Sequence, residues 1–343
     1  MNKAYFRDKI PGILCINDVR AAAKSMERIN QVLEVLYDAD RFVALSELAE
    51  PLRLSAPRVA GAIEALRQRG HLIDHMPGAG FRLRRPACLD AHLIERGLGT
   101  QRVGRHAIVF GEVDSTNDVA FTCARQKDSD GLVVLADSQR AGRGRHGRRW
   151  VSPPGSNILM SVLLLDPSGA LPHEAITIAA GLAVADAIER ATGLVTQLKW
   201  PNDVYLDSAK LCGVLVEVRT VDGRRCVVVG IGINVNAAPP ASAVDHPAAC
   251  LADKLGSPVE RVELARAVLR ELDARICSLA DLQSLHRGWM SRCDMVNHRI
   301  TVSCEGRLYT GRVLDVNPLE GLVLQCDGGV QVHLQAAGSS IVK

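Results

Sequence analysis

Aromatic side chains are scarce in this chain, at 3% with three tryptophans, so a tryptophan placed in a polar stretch stands out. Ten cysteines form no C-x-x-C pair and no cluster at metal-ligand spacing. That excludes a disulfide scaffold or a zinc site on spacing alone and suits a reducing compartment. No apolar run reaches the length of a membrane span: "AITIAAGLAVADAI" already carries Asp186 and reads as a buried helix. The opening "MNKAYFRDKIPGILCIND" has charges breaking its short apolar run, so it does not read as a signal peptide, and a cytoplasmic location is expected. A net charge of +3 is too slight for wholesale nucleic-acid or membrane binding, so any basic footprint must be local. No G-x-x-x-x-G-K-[ST] occurs, which excludes a P-loop. What is present is ordinary globular material, 47% hydrophobic and 23% charged, over 343 residues. That length predicts two or three domains.

Residues 27–86 read as three short helices and a hairpin, a winged helix-turn-helix, after an extension of residues 1–26 with no assigned role. "ERINQVLEVLYDAD" sets Ile29, Val32, Leu33 and Leu36 on one face. Ser46 is placed to cap the second helix and Ser55 the third, whose inward stripe is Val59, Ile63 and Leu66 and whose end is Gly70. Two strands around "PGAG" follow. Ser55, Arg58, Arg67 and Arg69 on or near the third helix, and Arg82 on the wing with Arg84 and Arg85, are the candidate DNA contacts. A winged domain used only for packing or dimerisation is the other reading, because Ala60, Gly61 and Ala62 offer nothing to base edges.

Residues 100–290 alternate short apolar strands with long helices. A tight "VDG" turn joins two of the strands, so a mixed or antiparallel-rich sheet in an α+β domain is expected. One helix should close at Gly193. Another, "SPVERVELARAVLRELDARICSLADL", should open on a capping box with Ser257 as N-cap and Glu260 at the third position. Residues 292–343 alternate apolar and polar residues between Gly and Asn turns, which predicts a small SH3-like β-barrel.

The stretch "GRGRHGRRW" contains G-x-G-x-x-G after a strand, but "VSPPGSN" follows in place of a helix, so it is no dinucleotide turn. What remains is a loop carrying Arg140, Arg143, Arg145, Arg148 and Arg149 with no acid among them. Two cations ~4 Å apart repel by about 4 kcal/mol at an effective dielectric near 20, so the loop should be mobile until it meets an anion. Guanidinium forks suit carboxylate and phosphate, and Trp150 offers a flat face for a base; a solvated basic loop is the bland alternative. "DSTND" places Ser115, Thr116 and Asn117 at a helix N-terminus, where simple capping explains one of the three. "KWPNDVYL" sets Lys199, Asn202 and Asp203 at a strand end held by proline, or marks a mere turn. "KLCGVLVEV" puts Lys210 before a buried strand and Gly213 within it, where a ligand or another backbone can approach closely. In "GIGINVN", Asn234 is expected to point into the cleft.

These four motifs in this order, with a winged helix before them and a small barrel after, resemble the biotin–protein ligases, in particular the bifunctional type that also represses the biotin operon. The resemblance implies that biotin is activated by Mg²⁺-ATP to biotinyl-5′-AMP and passed to a lysine of biotin carboxyl carrier protein, with no permanently bound metal. It further implies that Arg143, Arg145 and Lys210 offset the repulsion between carboxylate and phosphate. Ser115, Thr116, Asn117, Gln139, Gly144 and Gly213 would line the biotin site with those three, while Trp150, Lys199, Asn202, Asp203 and Asn234 would hold ATP or adenylate. Other biotin-dependent carboxylases, operator DNA and a second copy of the chain in a liganded homodimer are the other implied partners. A lipoate or octanoate enzyme of the same fold, or a ligand-sensing transcription factor without ligase activity, are the competing readings. Cys123, Cys212 and Cys226 read as small apolar residues rather than nucleophiles.

Overall fold

The computed structural model describes residues 16–126, 128–317, 319–336 and 338–342. The chain divides into two units, Met1–Cys88 and Leu89–Lys343. In the first, α1 (Ile16–Ala39), α2 (Leu45–Leu52) and α3 (Ala56–Gln68) precede an antiparallel hairpin of β1 (Ile73–Met76) and β2 (Gly80–Leu83). Val32, Leu33 and Leu36 of α1 are buried with Leu48 of α2 and Val59, Ile63 and Leu66 of α3, as the 3.6-residue periodicity requires. Helix α1 crosses the boundary expected at residue 26, and the first fifteen residues of the expected extension lie outside the described residues. Ser46 does not cap α2: the helix starts at Leu45 behind Ala44, whose N–H donates to the Glu47 carboxylate at 3.0 Å. Ser55 occupies the N-cap position of α3, but its carbonyl rather than its hydroxyl receives the Arg58 and Val59 N–H groups.

The second unit opens with α4 (Ala91–Glu95), β3 (Ala107–Val113), α5 (Thr116–Cys123), β4 (Val133–Gln139) and β5 (Ile158–Leu165). Then come α6 (His173–Thr192), β6 (Gln197–Lys199), β7 (Asp203–Leu206), β8 (Ala209–Val221) and β9 (Arg224–Ile233). The strands form one seven-stranded sheet in the order β3-β4-β5-β9-β8-β7-β6, parallel at β3–β4 and antiparallel elsewhere. Mixed pairing follows from the hairpins: Asp222 and Gly223, both at positive φ, make the two-residue turn that matches strand twist between β8 and β9. Helix α5 packs on one face of the sheet, where Ala120 and Phe121 meet Val134, Leu163 and Val228. Helix α6 is buried on nearly all sides, rests against β8 and β9, closes at Gly193 as expected, and supports α8 (Arg261–Cys277) and α9 (Leu282–Met290).

Between β9 and α8 lies the short α7 (Leu251–Leu255). Ser257 does not cap α8, and the expected capping box does not form. The Asn236 side chain binds both the N–H (2.7 Å) and the C=O (3.0 Å) of Val259, keeping that segment extended until Arg261. The helix expected over 257–282 ends early, at Cys277, and a further helix that the sequence reading did not name, α9, begins at Leu282. The chain ends in β10 (Arg299–Cys304), β11 (Arg307–Asn317), β12 (Gly321–Cys326), β13 (Gln331–Leu334) and β14 (Ser339–Ile341). These form a five-stranded antiparallel sheet in the order β13-β12-β11-β10-β14. Among the described residues no helix is long and apolar enough to cross a membrane.

Because Leu163 is fully buried between α5 and the sheet, Leu163→Ala should lower unfolding stability by about 2–5 kcal/mol. An unchanged urea midpoint in that variant contradicts the packing described.

Candidate active site

Strand alternation sets the floor of the site. Gly230, Gly232 and Asn234 lie two apart on β9 and its extension, so they face one way while Ile231 and Ile233 enter the core. On β8, Gly213, Leu215 and Glu217 take the same face, with Gly213 opposite Gly232. A one-residue register slip between Val204–Cys212 and Tyr205–Lys210 turns Lys210 to that face as well, which an unbroken strand could not do for residues three apart.

The bare glycines are filled from above. A Cβ on Gly230 would lie 2.5 Å from Asn117 Oδ1, and one on Gly232 would lie 2.5 Å from Trp150 Cε2. Gly213 is approached by the same Trp150 ring, so its close neighbour is a side chain and not the ligand or backbone expected there.

A cavity of about 400 Å³ opens over this floor. One end is uncharged and hydrogen-bonding. Ser115, Thr116 and Asn117, each 4% exposed, sit at the start of α5. Gln139 Oε1 accepts from the Thr116 N–H at 2.7 Å and lies 3.0 Å from its hydroxyl. Ser161 Oγ is 2.6 Å from Asn117 Oδ1, which has no proton of its own, so the serine donates. Asn117 Nδ2 donates to Glu217 at 2.7 Å. Capping accounts for none of this: Ser115 makes no side-chain cap bond. Apolar lining comes from Leu159, Trp200 and Leu215.

The other end is charged. Lys210 Nζ pairs with Asp203 at 2.8 Å and lies 5.8 Å from the Trp150 ring. Lys199 stands over Tyr205 at 4.7 Å, and burial pushes the Tyr205 hydroxyl up to about 12. Asn202 is fixed by donating to Val214 O at 2.6 Å. Three buried polar atoms of cavity-lining residues, Trp150 Nε1, Trp200 Nε1 and Asn234 Oδ1, have no protein partner. Each costs about 1–3 kcal/mol while unmet.

The arginine loop is not the bare cationic strand its local sequence suggests. Gly144 N–H bonds Arg148 O at 2.7 Å and Trp150 N–H bonds Gly142 O at 2.9 Å, which makes it a small hairpin. Acids from other segments neutralise part of it. Arg143 takes Asp118 with both nitrogens, at 2.5 and 2.9 Å, and Glu217 at 3.1 Å. Arg140 pairs with Asp114 and Glu112. The hydrogen bond to Asp118, with Glu217, holds the Arg143 guanidinium well above its ordinary value. Burial pulls Arg145 below its ordinary value, against the opposing pull of Asp203. Arg145 donates to the Ala336 carbonyl and His146 Nε2 lies 3.2 Å from Ser339 O, so the loop also touches the C-terminal sheet.

All the expected small-molecule residues line the cavity: Ser115, Thr116, Asn117, Gln139, Arg143, Gly144, Arg145, Trp150, Lys199, Asn202, Asp203, Lys210, Gly213 and Asn234. Sequence reading missed Ser161, the lone polar residue in the buried run of β5, and Glu217, the one acid in the apolar stretch "GVLVEV" of β8. It also missed the Asp118 partner of Arg143. Cys123 and Cys212 are buried thiols whose burial raises them, Cys123 to about 11. Among the described residues no group of three His, Cys, Asp or Glu could hold a metal ion.

The first unit is less uniform. Ser55 and Arg58 are exposed at the start of α3. Arg67 donates to Ile73 O at 2.9 Å, Arg82 pairs with Asp74 at 3.4 Å and covers Phe42. Arg69 is directed at Asn30 of α1 at 2.9 Å rather than standing free on the helix face.

Residues 109–234, which hold most of this cavity, match the model of the Biotin/lipoate A/B protein ligase family. The chain is 36% identical over 229 residues to a biotin--[acetyl-CoA-carboxylase] ligase of Mycobacterium tuberculosis, covering 62% of this chain and 82% of that protein. The chain belongs to the biotin–protein ligase family. Family membership extends to the bifunctional ligase/repressor BirA of Escherichia coli K12, 31% identical over 67% of this chain and 71% of that one. The similarity spans about three fifths of the BirA proteins of Bacillus subtilis and Bacillus spizizenii (62% and 61% of their length), at 35% and 36% identity. Among solved structures, a biotin protein ligase from Aquifex aeolicus in complex with biotin and ATP superposes with a TM-score of 0.60 and 27% identity. It covers 69% of this chain and 98% of that one. The mixed sheet described above is thus the biotin-ligase catalytic fold, and the C-terminal sheet follows it.

The glycine floor predicts that Gly232→Ala displaces the Trp150 ring. Trp200, on the cavity wall, and Trp289 are both buried and neither is among the atoms nearest Gly232, so the fluorescence emission should move to longer wavelength as Trp150 shifts; unchanged emission contradicts the packing. The acids give a second expectation. Arg143 holds Asp118 below its ordinary 3.8. Burial pushes Glu217 up, but the bonds from Asn117, Arg143 and Arg219 outweigh it and leave it below 4.5. Their contribution to stability is therefore complete above pH 4.5 and is lost as the pH falls through the depressed values. The melting temperature of the wild type should drop over that range more than that of an Asp118→Asn/Glu217→Gln double variant, and equal drops contradict it.

Proposed function

We propose that the chain joins biotin to ATP as biotinyl-5′-AMP and transfers the biotinyl group to a lysine of biotin carboxyl carrier protein. One observation carries this reading: a single cavity has uncharged donors and acceptors at one end, apolar walls between, and cations at the other. Biotin has the same sequence of chemistry, a ureido ring, an apolar bicycle and chain, and a carboxylate. A plain acyl chain of the lipoate or octanoate type brings no donor or acceptor to the end built from Ser115, Thr116, Asn117 and Gln139, which disfavours that alternative.

In this reading the biotin carboxylate attacks the α-phosphorus of ATP and pyrophosphate leaves. Arg145 and Lys210 lower the repulsion between the two anions, and Arg143 anchors the loop beside them. Trp150 Nε1 and Asn234 Oδ1 gain the partners they lack, and Lys199, Asn202 and Asp203 fix the nucleotide. Asp203 would supply one carboxylate to the Mg²⁺ that ATP carries, whose charge would offset that of the phosphates. With the loop over the mixed anhydride, water is kept from it until a carrier lysine attacks the acyl carbon and releases AMP. No protein nucleophile is required, consistent with the raised thiols.

We further infer that the first unit is a winged helix-turn-helix that binds operator DNA, with biotinyl-5′-AMP as corepressor favouring a homodimer. The relatives named bifunctional ligase/repressor support this, as do the exposed Ser55 and Arg58. The C-terminal sheet is then a small SH3-like barrel.

The test is incubation with ATP, biotin and a carrier domain, probed with streptavidin, with lipoate and octanoate run in parallel and adenylates weighed by mass spectrometry. An adenylate with biotin and a labelled carrier are expected; an adenylate with lipoate alone overturns the assignment. Arg145→Ala should release adenylate at least about tenfold faster while remaining folded, on the scale of one lost charge-assisted bond. Retention equal to wild type contradicts the role given to Arg145.

A further inference from the structure

Glu217 does not line the cavity, yet it touches two residues that do. Its Oε2 accepts from Asn117 Nδ2 at 2.7 Å and from Arg143 Nη2 at 3.1 Å, so one oxygen is shared by the uncharged end and the arginine loop. We propose that Glu217 is a positioning residue that couples occupancy of the biotin end to closure of the loop over the adenylate. This deepens the ligase reading and rests on it.

The geometry leaves Asn117 little freedom. Ser161 fixes its oxygen at 2.6 Å, Glu217 fixes its nitrogen, and Gly230 leaves the space it occupies. A ligand that binds or shifts this amide changes what Glu217 can offer Arg143, because the two donors compete for one acceptor. The other carboxylate oxygen is held too: Arg219 Nη2 lies 3.0 Å from Glu217 Oε1 and 3.2 Å from Asp118 Oδ1, with its guanidinium over Phe121 at 4.2 Å. Two arginines and two carboxylates close a ring, and Arg143 spans it to the cavity. Gly213, Leu215, Glu217 and Arg219 alternate on one face of β8, so a single strand carries both the cavity floor and the ring. Arg143, counted among the groups meeting substrate on sequence grounds, is in this arrangement the loop's anchor, while Arg145 and Lys210 face the reacting anions.

Two substitutions separate the roles. Glu217→Gln keeps an amide oxygen for Asn117 but removes the charge that holds Arg143; Glu217→Ala removes both. The glutamine variant should keep KM for biotin within about twofold of wild type while releasing biotinyl-5′-AMP to solution about tenfold faster. The alanine variant should show that release together with a KM for biotin raised about tenfold. Asp118→Asn, which weakens the other side of the Arg143 clamp and leaves Asn117 alone, should behave like glutamine, and it decides the matter if either Glu217 variant fails to fold. Adenylate release at the wild-type rate in Glu217→Gln or Asp118→Asn overturns the proposal. So does an identical change of both parameters in Gln and Ala, as a merely structural role produces. A wild-type protein that forms no adenylate removes the ligase reading itself, whereas a working wild type with unaltered variants removes only the coupling.

Discussion

Five arginines within ten residues of chain are tolerable only because their charge is shared with acids that the local sequence does not contain. At ~4 Å, two uncompensated cations repel by about 4 kcal/mol at an effective dielectric near 20, and a hairpin cannot absorb several such terms. The fold brings Asp114 and Asp118 from the end of β3 and the start of α5, and Glu217 from β8, and these take Arg140 and Arg143 out of the repulsive set. Arg145 is left half-buried against a backbone carbonyl, short of a carboxylate of its own. A protein that neutralised every arginine would bind no anion there, and one that neutralised none could not hold the loop together. The proposed chemistry depends on that division.

The sheet makes the division possible. Period-two alternation on β8 and β9 places glycines on one face at Gly213, Gly230 and Gly232, so that Asn117 and Trp150 can descend onto the backbone. The register slip ahead of Cys212 turns Lys210 to the same side. Helix α5 starts where β3 ends, which delivers Ser115, Thr116 and Asn117 to the opposite end of the cavity from Lys210. A ligand binding here meets hydrogen bonds, then apolar contact, then charge, along a path set by strand geometry rather than by loop conformation.

Much of this was legible in the sequence because it follows from short-range patterns. The 3.6-residue stripe of α3, the closure of α6 at Gly193 and the hairpin at Asp222–Gly223 are local, and each stands where expected. The cavity residues were legible for a different reason, as polar and glycine residues interrupting apolar runs. What was not legible came from pairings across the chain. Ser257 is a reasonable helix cap until Asn236 claims the backbone of Val259. The loop reads as repulsive until Asp118 and Glu217 are set beside it. Arg69 reads as a free basic residue until Asn30 of α1 meets it. Each case is a tertiary contact overriding a local preference, and sequence separation hides the partner.

The measurement that bears most directly on this account is a crystal structure grown with biotin and ATP. The account predicts the ureido ring within hydrogen-bonding distance of Ser115, Thr116 or Gln139, and the acyl phosphate within reach of Arg145 and Lys210. A ligand bound with its carboxylate at the Ser115–Gln139 end, or an arginine loop making no contact with bound adenylate, contradicts it.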